Sequence, residues 1–375
     1  MSKPPLKVIT VFGTRPEAIK LAPVVRQLGA RPDVFQSSIC VTGQHREMVD
    51  QVIDLFSIRP DFDLKLMQHG QRLASFAARA LAELDALFCK EKPDVVVVQG
   101  DTTTTLVASL AAFYNQAKVA HVEAGLRSFD RHAPFPEETN RVLTSHVADL
   151  HFAPTERAAK NLLHEGVQPD RIFVTGNTIV DALFDITARL DSGRLRPSLN
   201  GHLSQLPAKF VLVTAHRREN QGQGLRDIFL AVRELTSRAP DVDFIFPVHL
   251  NPEVLGPAHE LLANLPRVHL LPPVDYVSCV WLMQHSASIL TDSGGIQEEG
   301  ASLRKQVVVM RDVTERPEAV ESGWAQLVGA NKDRIVRAVL DTLHRPSLDI
   351  EHAPNPFGDG TAAKQIADIL AAQRS

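Results

Sequence analysis

Acidic side chains follow apolar runs in the first half of the chain. Asp101 follows the run VVVVQ, Glu123 follows KVAHV, and Glu137 lies in PFPEETNR beside a second acid, Glu138. Carboxylates that share one cleft raise one another's pKa values and can divide into an acid and a base. A structural alternative is that Asp101 caps the helix predicted to start in the threonine run, and that Glu137 and Glu138 do likewise after Pro136. Acids at all three turns favour proton transfer by at least one of them.

A glycine pair follows another apolar run, in SILTDSGGIQEEG. Ser293, Gly294 and Gly295 are predicted to present backbone N–H groups at a helix N-terminus, where the dipole favours an anion such as a diphosphate. Glu299 could accept hydrogen bonds from sugar hydroxyls, as acids do in dinucleotide-binding folds. The alternative is that Glu298 and Glu299 only stabilise the first helical turn.

Basic side chains stand at further predicted turns. Arg15 and Lys20 in GTRPEAIK bring positive charge to the end of the first strand, and Arg316 in DVTERPEA does so near the glycine pair. These cations suit a phosphate or a ribose. Thr14 and Glu17 could instead form only a capping box, in which case Arg15 is the stronger candidate ligand.

One histidine, His216 in AHRREN, follows a predicted buried strand. A histidine there can donate to a phosphate or protonate a leaving group near neutral pH, although a solvated turn residue is the alternative. The chain has 15 histidines but no HExxH spacing, and its three cysteines form no CxxC pair. We therefore predict no metal and no disulfide framework.

The elements that must position these residues are strands separated by helices. Eleven strand-like runs occur: KVITVF, SSICVT, VVVVQ, KVAHVEA, LHFAP, IFVTG, FVLVT, FIFPVH, VHLLPP, SILTD and QVVVM. Runs that are apolar on both faces predict parallel sheets. The two halves repeat one layout of strands and polar turns, and ligands bind beyond the carboxyl ends of such strands.

The predicted organisation is two Rossmann-like α/β domains. A length of 375 residues favours two domains. After Asn177 the apolar periodicity is lost and Gly, Pro and Ser increase until a strand restarts at Val211, so the junction is predicted at the beginning of this stretch, near Gly176. A net charge of −4 gives no reason to expect nucleic acid. The N-terminal apolar run is too short for a signal sequence or a membrane span, so we expect a cytoplasmic protein without a membrane partner.

With these residues in hand, the chain resembles the non-hydrolysing UDP-N-acetylglucosamine 2-epimerases. The resemblance runs nearly end to end, through motifs in family order: VFGTRPEAIKLAP, GQHREMVDQV, PDVVVVQGDTTTTL, HVEAGLRS, FPEETNR, FAPTE, TGNTIVDAL, HRREN, PVHLNP, LTDSGGIQEE, RDVTERPEA and NPFGDG. It implies a glycosyltransferase-B fold, with parallel sheets facing a cleft. The expected domains are 1–176 and 177–360, with a C-terminal helix, 361–375, packing back on the first.

The resemblance also implies an activity. Members interconvert UDP-GlcNAc and UDP-ManNAc by eliminating UDP to 2-acetamidoglucal and adding it back, usually as homodimers and without a cofactor. It assigns proton transfer and sugar binding to Asp101, Glu123 and Glu137. His216, which we add to the catalytic candidates, is assigned to the substrate and largely its UDP portion, with the remaining ligands: Arg15, Lys20, Ser293, Gly294, Gly295, Glu299 and Arg316.

Some members bind a second UDP-GlcNAc as an activator, which Gln44 and Arg46 would permit. Other activities remain open at this point. They are a hydrolysing 2-epimerase that releases free ManNAc, an epimerase for a diacetamido uronic acid, a UDP-sugar glycosyltransferase, and a nucleotide sensor without catalysis. The sensor leaves the acid cluster unexplained.

Overall fold

The computed structural model describes residues 3–43, 46–66, 68, 70–132, 134–199, 207–344 and 354–374. The chain divides into two compact units. Unit 1 comprises Met1–Ala182 and Phe357–Ser375, and unit 2 comprises Leu183–Pro356. Among the described residues no helix combines the length and the apolar character needed to cross a bilayer.

Strands of unit 1 form one seven-stranded sheet and those of unit 2 form one six-stranded sheet. The strands are β1 (Leu6–Phe12), β2 (Phe35–Val41), β3 (Phe62–Asp63), β4 (Val95–Gln99), β5 (Lys118–Val122), β6 (Leu150–Ala153), β7 (Ile172–Val174), β8 (Phe210–Thr214), β9 (Asp243–Pro247), β10 (Val268–Leu271), β11 (Ser288–Thr291), β12 (Val307–Val309) and β13 (Ala325–Leu327). The strand pairs are parallel, as predicted.

Helices connect these strands. They are α1 (Arg15–Gly29), α2 (Arg46–Phe56), α3 (Leu73–Glu91), α4 (Thr103–Tyr114), α5 (Glu137–Val147), α6 (Glu156–His164), α7 (Thr178–Asp191), α8 (Gln223–Arg238), α9 (Pro252–Leu262), α10 (Tyr276–His285), α11 (Gly294–Ser302), α12 (Pro317–Glu321), α13 (Lys332–His344) and α14 (Ala362–Ala372). Short 3₁₀ turns occur at Pro169–Arg171 and Arg218–Asn220.

The two sheets share one topology. Their orders are β3-β2-β1-β4-β5-β6-β7 and β10-β9-β8-β11-β12-β13, so β1 corresponds to β8, β4 to β11 and β5 to β12. The predicted repeat of layout is therefore confirmed. The strand order reverses between β1 and β4 in unit 1, and between β8 and β11 in unit 2. This switch point is where doubly wound folds bind ligands.

Burial explains why the strands are readable in the sequence. All five residues of β4 are buried, because helices cover both faces of a parallel sheet. In unit 2, Phe229 of α8 packs against Phe246 of β9 with ring centroids 5.6 Å apart. The prediction missed β3 and β13, which lie at sheet edges and contain two and three residues.

The prediction that apolar periodicity ends after Asn177 is wrong. Helix α7 starts at Thr178 and continues to Asp191, and it buries Ile179, Leu183 and Ile186 at helical spacing. The chain passes from unit 1 to unit 2 within this helix, after Ala182. It re-enters unit 1 at Phe357, and α14 then packs against α1.

Candidate functional site

The switch point of unit 1 is held together by a buried carboxylate. Glu17 accepts from the backbone N–H of Gly13 at 2.9 Å and of Thr14 at 2.7 Å through Oε2, and from the Thr102 hydroxyl at 2.5 Å through Oε1. The hydrogen bond from the Thr14 N–H belongs to the capping box of α1, which Thr14 and Glu17 form as the structural alternative predicted. Burial raises the pKa of Glu17, although the hydrogen bonds from Thr102, Gly13 and Thr14 oppose this. The turns after β1 and β4 are thereby joined.

Glu123 follows β5 and is 7% exposed. Its φ of +63° lies in the left-handed region, which is unfavourable for a residue with a Cβ, so its backbone is held by its surroundings. Its Oε1 lies 2.5 Å from Nζ of Lys20 and accepts from Nδ2 of Asn177 at 3.0 Å, while Oε2 accepts from the Gln99 amide. Donors from α1, from β4 and from the loop before α7 therefore surround this carboxylate.

Asp101 lies at the neighbouring turn, after β4. Its Oδ2 is 2.6 Å from Nη2 of Arg141, and its carbonyl accepts from Nδ2 of Asn140 at 2.9 Å. Asp101 does not cap α4, contrary to the structural alternative, because Thr102 is the N-cap and its hydroxyl accepts from the Thr105 N–H. Its side chain remains 30% exposed, so its carboxylate is accessible to a ligand.

The two acids of PFPEETNR differ in their contacts. Both lie in the first turn of α5, after the N-cap residue Pro136. Glu138 accepts from the backbone N–H groups of Ser128 and Phe129, each at 3.0 Å, and lies 3.1 Å from Arg141. Glu137 has a buried Oε2 with no hydrogen-bond partner among the described residues. Glu138 is therefore structural, whereas Glu137 has a carboxylate oxygen to offer a ligand.

Two buried histidines lie on strands of the same sheet, His121 on β5 and His151 on β6. The ring of His121 is 2.7 Å from the Gly100 carbonyl through Nε2, and His151 pairs with it across β5 and β6. Burial lowers the pKa of His121 to about 4 and that of His151 to about 3. Both rings are neutral at pH 7, so they add no positive charge beside the carboxylates.

In unit 2 the glycine pair opens α11, as predicted. Ser293 is the N-cap residue, and its N–H donates to the Thr291 hydroxyl at 2.9 Å. A Cβ at Gly294 would lie 2.8 Å from Oε1 of Glu315 and 2.9 Å from Nη1 of Arg316, whereas a Cβ at Gly295 would meet no described atom within 4 Å. The helix dipole favours an anion here.

The idea that Glu298 and Glu299 are first-turn helix stabilisers is wrong. The helix starts at Gly294, so both acids lie in its second turn, and both are buried. Glu298 lies 2.9 Å from Nε of Arg316, and Glu299 accepts from the Tyr276 hydroxyl at 2.8 Å. Each acid therefore has a specific partner.

Arg316 is held by carboxylates on both sides. Besides Glu298, it contacts Oε1 of Glu315 through Nη1 at 2.5 Å, and Glu315 also contacts Arg311 at 2.8 Å. Burial acts to raise the pKa of Glu315, but the charges of Arg316 and Arg311 outweigh it and lower the pKa to about 2. The guanidinium of Arg316 is thereby fixed beside Gly294.

His216 follows β8, and its position depends on Asp292, which follows β11. Oδ2 of Asp292 accepts from the backbone N–H of His216 at 2.9 Å and of Arg217 at 2.8 Å, and Oδ1 lies 3.3 Å from the ring Nδ1. Burial would raise the pKa of Asp292, but these hydrogen bonds and the charge of His216 lower it. The ring is 43% exposed and stacks on His249 at 5.7 Å.

The remaining predicted ligands are less defined. Arg15 is the first residue of α1 and is partly exposed. Gln44 lies outside the described residues, and Arg46 begins α2, with no description of its side chain. In the part of the chain that the structure describes, no group of three or more His, Cys, Asp or Glu side chains could hold a metal ion.

Two doubly wound units define a two-domain α/β protein of the glycosyltransferase-B class. One carries acids after its central strands, and the other has a helix N-terminus that favours an anion at its switch point. The chain belongs to the UDP-N-acetylglucosamine 2-epimerase family, whose model matches residues 26–371. This confirms the family resemblance and the fold class.

Relatives match over nearly the whole chain. A UDP-N-acetylglucosamine 2-epimerase of Yersinia pestis is 51% identical over 373 residues, covering 97% of this chain and 98% of the relative. That of Escherichia coli K12 is 50% identical over 370 residues, covering 97% and 98%. The crystal structure of the Neisseria meningitidis UDP-GlcNAc 2-epimerase bound to UDP-GlcNAc matches with a TM-score of 0.91 and 44% identity, covering 98% of this chain and 100% of that one.

Proposed function

We propose that the protein interconverts UDP-GlcNAc and UDP-ManNAc by inverting C2, with elimination and re-addition of UDP and without net hydrolysis. Family membership supports the substrate class, and UDP-GlcNAc is bound in the Neisseria meningitidis structure. The observation that carries the proposal is Glu123, at the turn after β5, whose backbone lies in the left-handed region and whose buried carboxylate is held by Lys20, Gln99 and Asn177.

The chemistry explains why acids and anion ligands are both needed. The proton at C2 of the sugar is not acidic, so its removal is slow unless departure of UDP from C1 develops positive charge on the ring. Carboxylates stabilise that charge and accept the proton, while N–H groups and cations stabilise the departing diphosphate. The intermediate, 2-acetamidoglucal, then takes a proton on its opposite face while UDP adds again.

We assign the acid and base roles to Asp101, Glu123 and Glu137. Asp101 and Glu123 end neighbouring strands, so they occupy one edge of the sheet in unit 1. The buried Oε2 of Glu137, which has no hydrogen-bond partner among the described residues, supports a proton-transfer role for this acid rather than for Glu138. One positioned acid or base contributes typically about 10²- to 10⁴-fold to the rate.

We assign the diphosphate to the start of α11, through Ser293, Gly294 and Gly295, with Arg316 beside it. The open space at Gly295 supports close approach of a ligand to the backbone. Glu299 is proposed to bind the ribose.

We assign His216 to the leaving group, since Asp292 can fix its Nδ1 and present Nε2. Arg15 and Lys20 complete the proposed ligands. Lys20 is ion-paired with Glu123, so it would link the substrate to that carboxylate.

Incubation with UDP-GlcNAc in D₂O, followed by NMR, tests the reaction. We expect deuterium at C2 of both UDP-GlcNAc and UDP-ManNAc. Complete retention of protium would exclude the elimination route. Accumulation of free ManNAc and UDP would identify a hydrolysing epimerase. Turnover of only a UDP-linked diacetamido uronic acid would show that this sugar is the substrate. Acceptor-dependent sugar release without exchange at C2 would identify a glycosyltransferase.

Two further assignments follow from the resemblance. Gln44 and Arg46 are proposed to contact a second UDP-GlcNAc that acts as an activator, and the protein is proposed to be a homodimer. An Arg46→Ala variant should lose activation of the UDP-ManNAc reaction by added UDP-GlcNAc. Light scattering should give twice the chain mass of 41.2 kDa.

A further inference from the structure

Two motifs to which the proposed function assigns no contact with the substrate meet at one residue of unit 1. TGNTIVDAL contains Asn177, and NPFGDG contains Phe357. The N–H of Asn177 donates to the Phe357 carbonyl at 2.8 Å. Asn177 therefore lies where the returning chain re-enters unit 1.

Close backbone packing fixes this position. Gly176 has a φ of +83°, and a Cβ there would lie 3.1 Å from the Phe357 carbonyl oxygen and 3.2 Å from Cα of Gly358. Only a glycine allows the two segments to approach this closely without displacement. The backbone at Gly176, directly before Asn177, is therefore held in place by Phe357 and Gly358.

The orientation of the Asn177 amide is determined by its partners. The side chain is 1% exposed, and its Oδ1 accepts from the backbone N–H of Ile179 at 3.2 Å, near the start of α7. Because Oδ1 faces a donor, Nδ2 is the atom that faces Oε1 of Glu123, at 3.0 Å. A carboxylate only accepts hydrogen bonds, so the amide matches the ionised form of Glu123.

We propose that Asn177 is a positioning residue for Glu123, which orients the carboxylate for proton transfer at the sugar; this inference rests on the proposed epimerase function. Lys20 also contacts Oε1, but an ammonium is a compact charge on a flexible stem and fixes direction poorly. The buried amides of Asn177 and Gln99 give each oxygen of Glu123 a directional donor.

The charges around Glu123 come from several elements. Lys20 approaches from α1, and His121 lies two residues earlier on β5. Arg127 and Arg141 act electrostatically on His121, as does Glu123 itself. Asn177 contributes the donor without adding a charge, which is why replacing it by an acid is informative.

The decisive variant is Asn177→Asp, which keeps an oxygen for the Ile179 N–H and replaces the donor facing Glu123 by an acidic group. At low pH the introduced carboxyl group and Glu123 share one proton, so a donor is restored.

At higher pH both carboxyl groups ionise and repel. We expect the ratio of variant to wild-type kcat for UDP-GlcNAc epimerisation to fall at least about tenfold from pH 5.5 to pH 8.5.

The control is Asn161→Asp, because Nδ2 of Asn161 donates to a backbone carbonyl, that of Gly125, at 2.9 Å. Its ratio should not vary with pH. A pH-independent ratio for Asn177→Asp in a folded protein would refute the positioning role, since a merely structural defect lowers kcat equally at every pH.

If Asn177→Asp does not fold, Asn177→Ser decides. Its shorter hydroxyl can cap α7 but cannot reach Glu123, so we expect a lower kcat with unchanged thermal unfolding and UDP affinity, and a wild-type kcat would refute the inference. Absence of epimerisation by the wild-type protein would refute the proposed function instead, independently of either variant.

Discussion

Gly295→Ala separates the needs of the fold from those of the ligand. A Cβ at this position meets no described atom within 4 Å, whereas at Gly294 it would lie 2.8 Å from Glu315 and 2.9 Å from Arg316. Gly295 lies in the first turn of α11, where its backbone N–H is proposed to face the diphosphate of UDP. A methyl group at Gly295 would therefore occupy space that is empty of described atoms and that the proposed ligand would also need.

The expected effects on stability and affinity have opposite signs. Glycine within a helix costs about 0.5–1 kcal/mol relative to alanine, so Gly295→Ala should raise the free energy of unfolding by about that amount and the melting temperature by about 1–4 °C. A methyl group against the diphosphate should weaken UDP binding at least about tenfold, or about 1.4 kcal/mol.

Thermal unfolding without ligand and calorimetric titration with UDP measure the two effects. Gly29→Ala is the control, because Gly29 is the last residue of α1 and a Cβ there also meets no described atom within 4 Å. It should stabilise the protein and leave UDP affinity unchanged. Wild-type UDP affinity in Gly295→Ala would refute the assignment of the diphosphate to this turn.

Three further predictions concern unit 1. Asp101→Asn should lower kcat about 10²- to 10⁴-fold with little change in melting temperature, since the side chain is 30% exposed; an unchanged kcat would remove Asp101 from catalysis. Iodoacetamide at pH 8 should alkylate exposed Cys89 in the folded protein. It should alkylate Cys40, whose pKa is raised by burial to about 12, only after the protein unfolds. Labelling of Cys40 in the native protein, detected by mass spectrometry, would contradict this. Burial lowers the pKa values of His121 and His151 to about 4 and 3, so the unfolded chain binds more protons than the folded protein below about pH 6.5. The contribution of these histidines to stability is therefore full above that pH and is lost as the pH falls toward 3. Urea midpoints that do not fall from pH 7 to pH 5 would contradict this.

Sequence patterns predicted the sheet strands because these are apolar on both faces. β4 is an example, with five buried residues followed by the glycine and aspartate of the QGD turn. The same reasoning placed the glycine pair at a helix start, since the chain must turn between β11 and α11. Helix α7 was missed because the Gly-, Pro- and Ser-rich residues beyond it obscured its periodicity.

Partners of the site residues were harder to predict. Asn177 lies 54 residues from Glu123, and Tyr276 lies 23 from Glu299, so neither pair has a local signal. Asp292 could have been found, because it follows β11 as Asp101 follows the corresponding β4. Its role differs from that of Asp101, since its carboxylate is buried and accepts a hydrogen bond from the backbone N–H of His216.

The two switch points show why one topology can serve opposite charges. In unit 1 the acid Glu123 is paired with the cation Lys20, and the amides of Asn177 and Gln99 direct its oxygens. In unit 2 the cation Arg316 is paired with the acids Glu298 and Glu315, which orient its guanidinium. Breaking a buried pair leaves an uncompensated charge, which costs more than the pair contributes. Each pairing therefore keeps one charged group in place before a ligand arrives, an acid at the proposed proton-transfer site and a cation at the proposed diphosphate site.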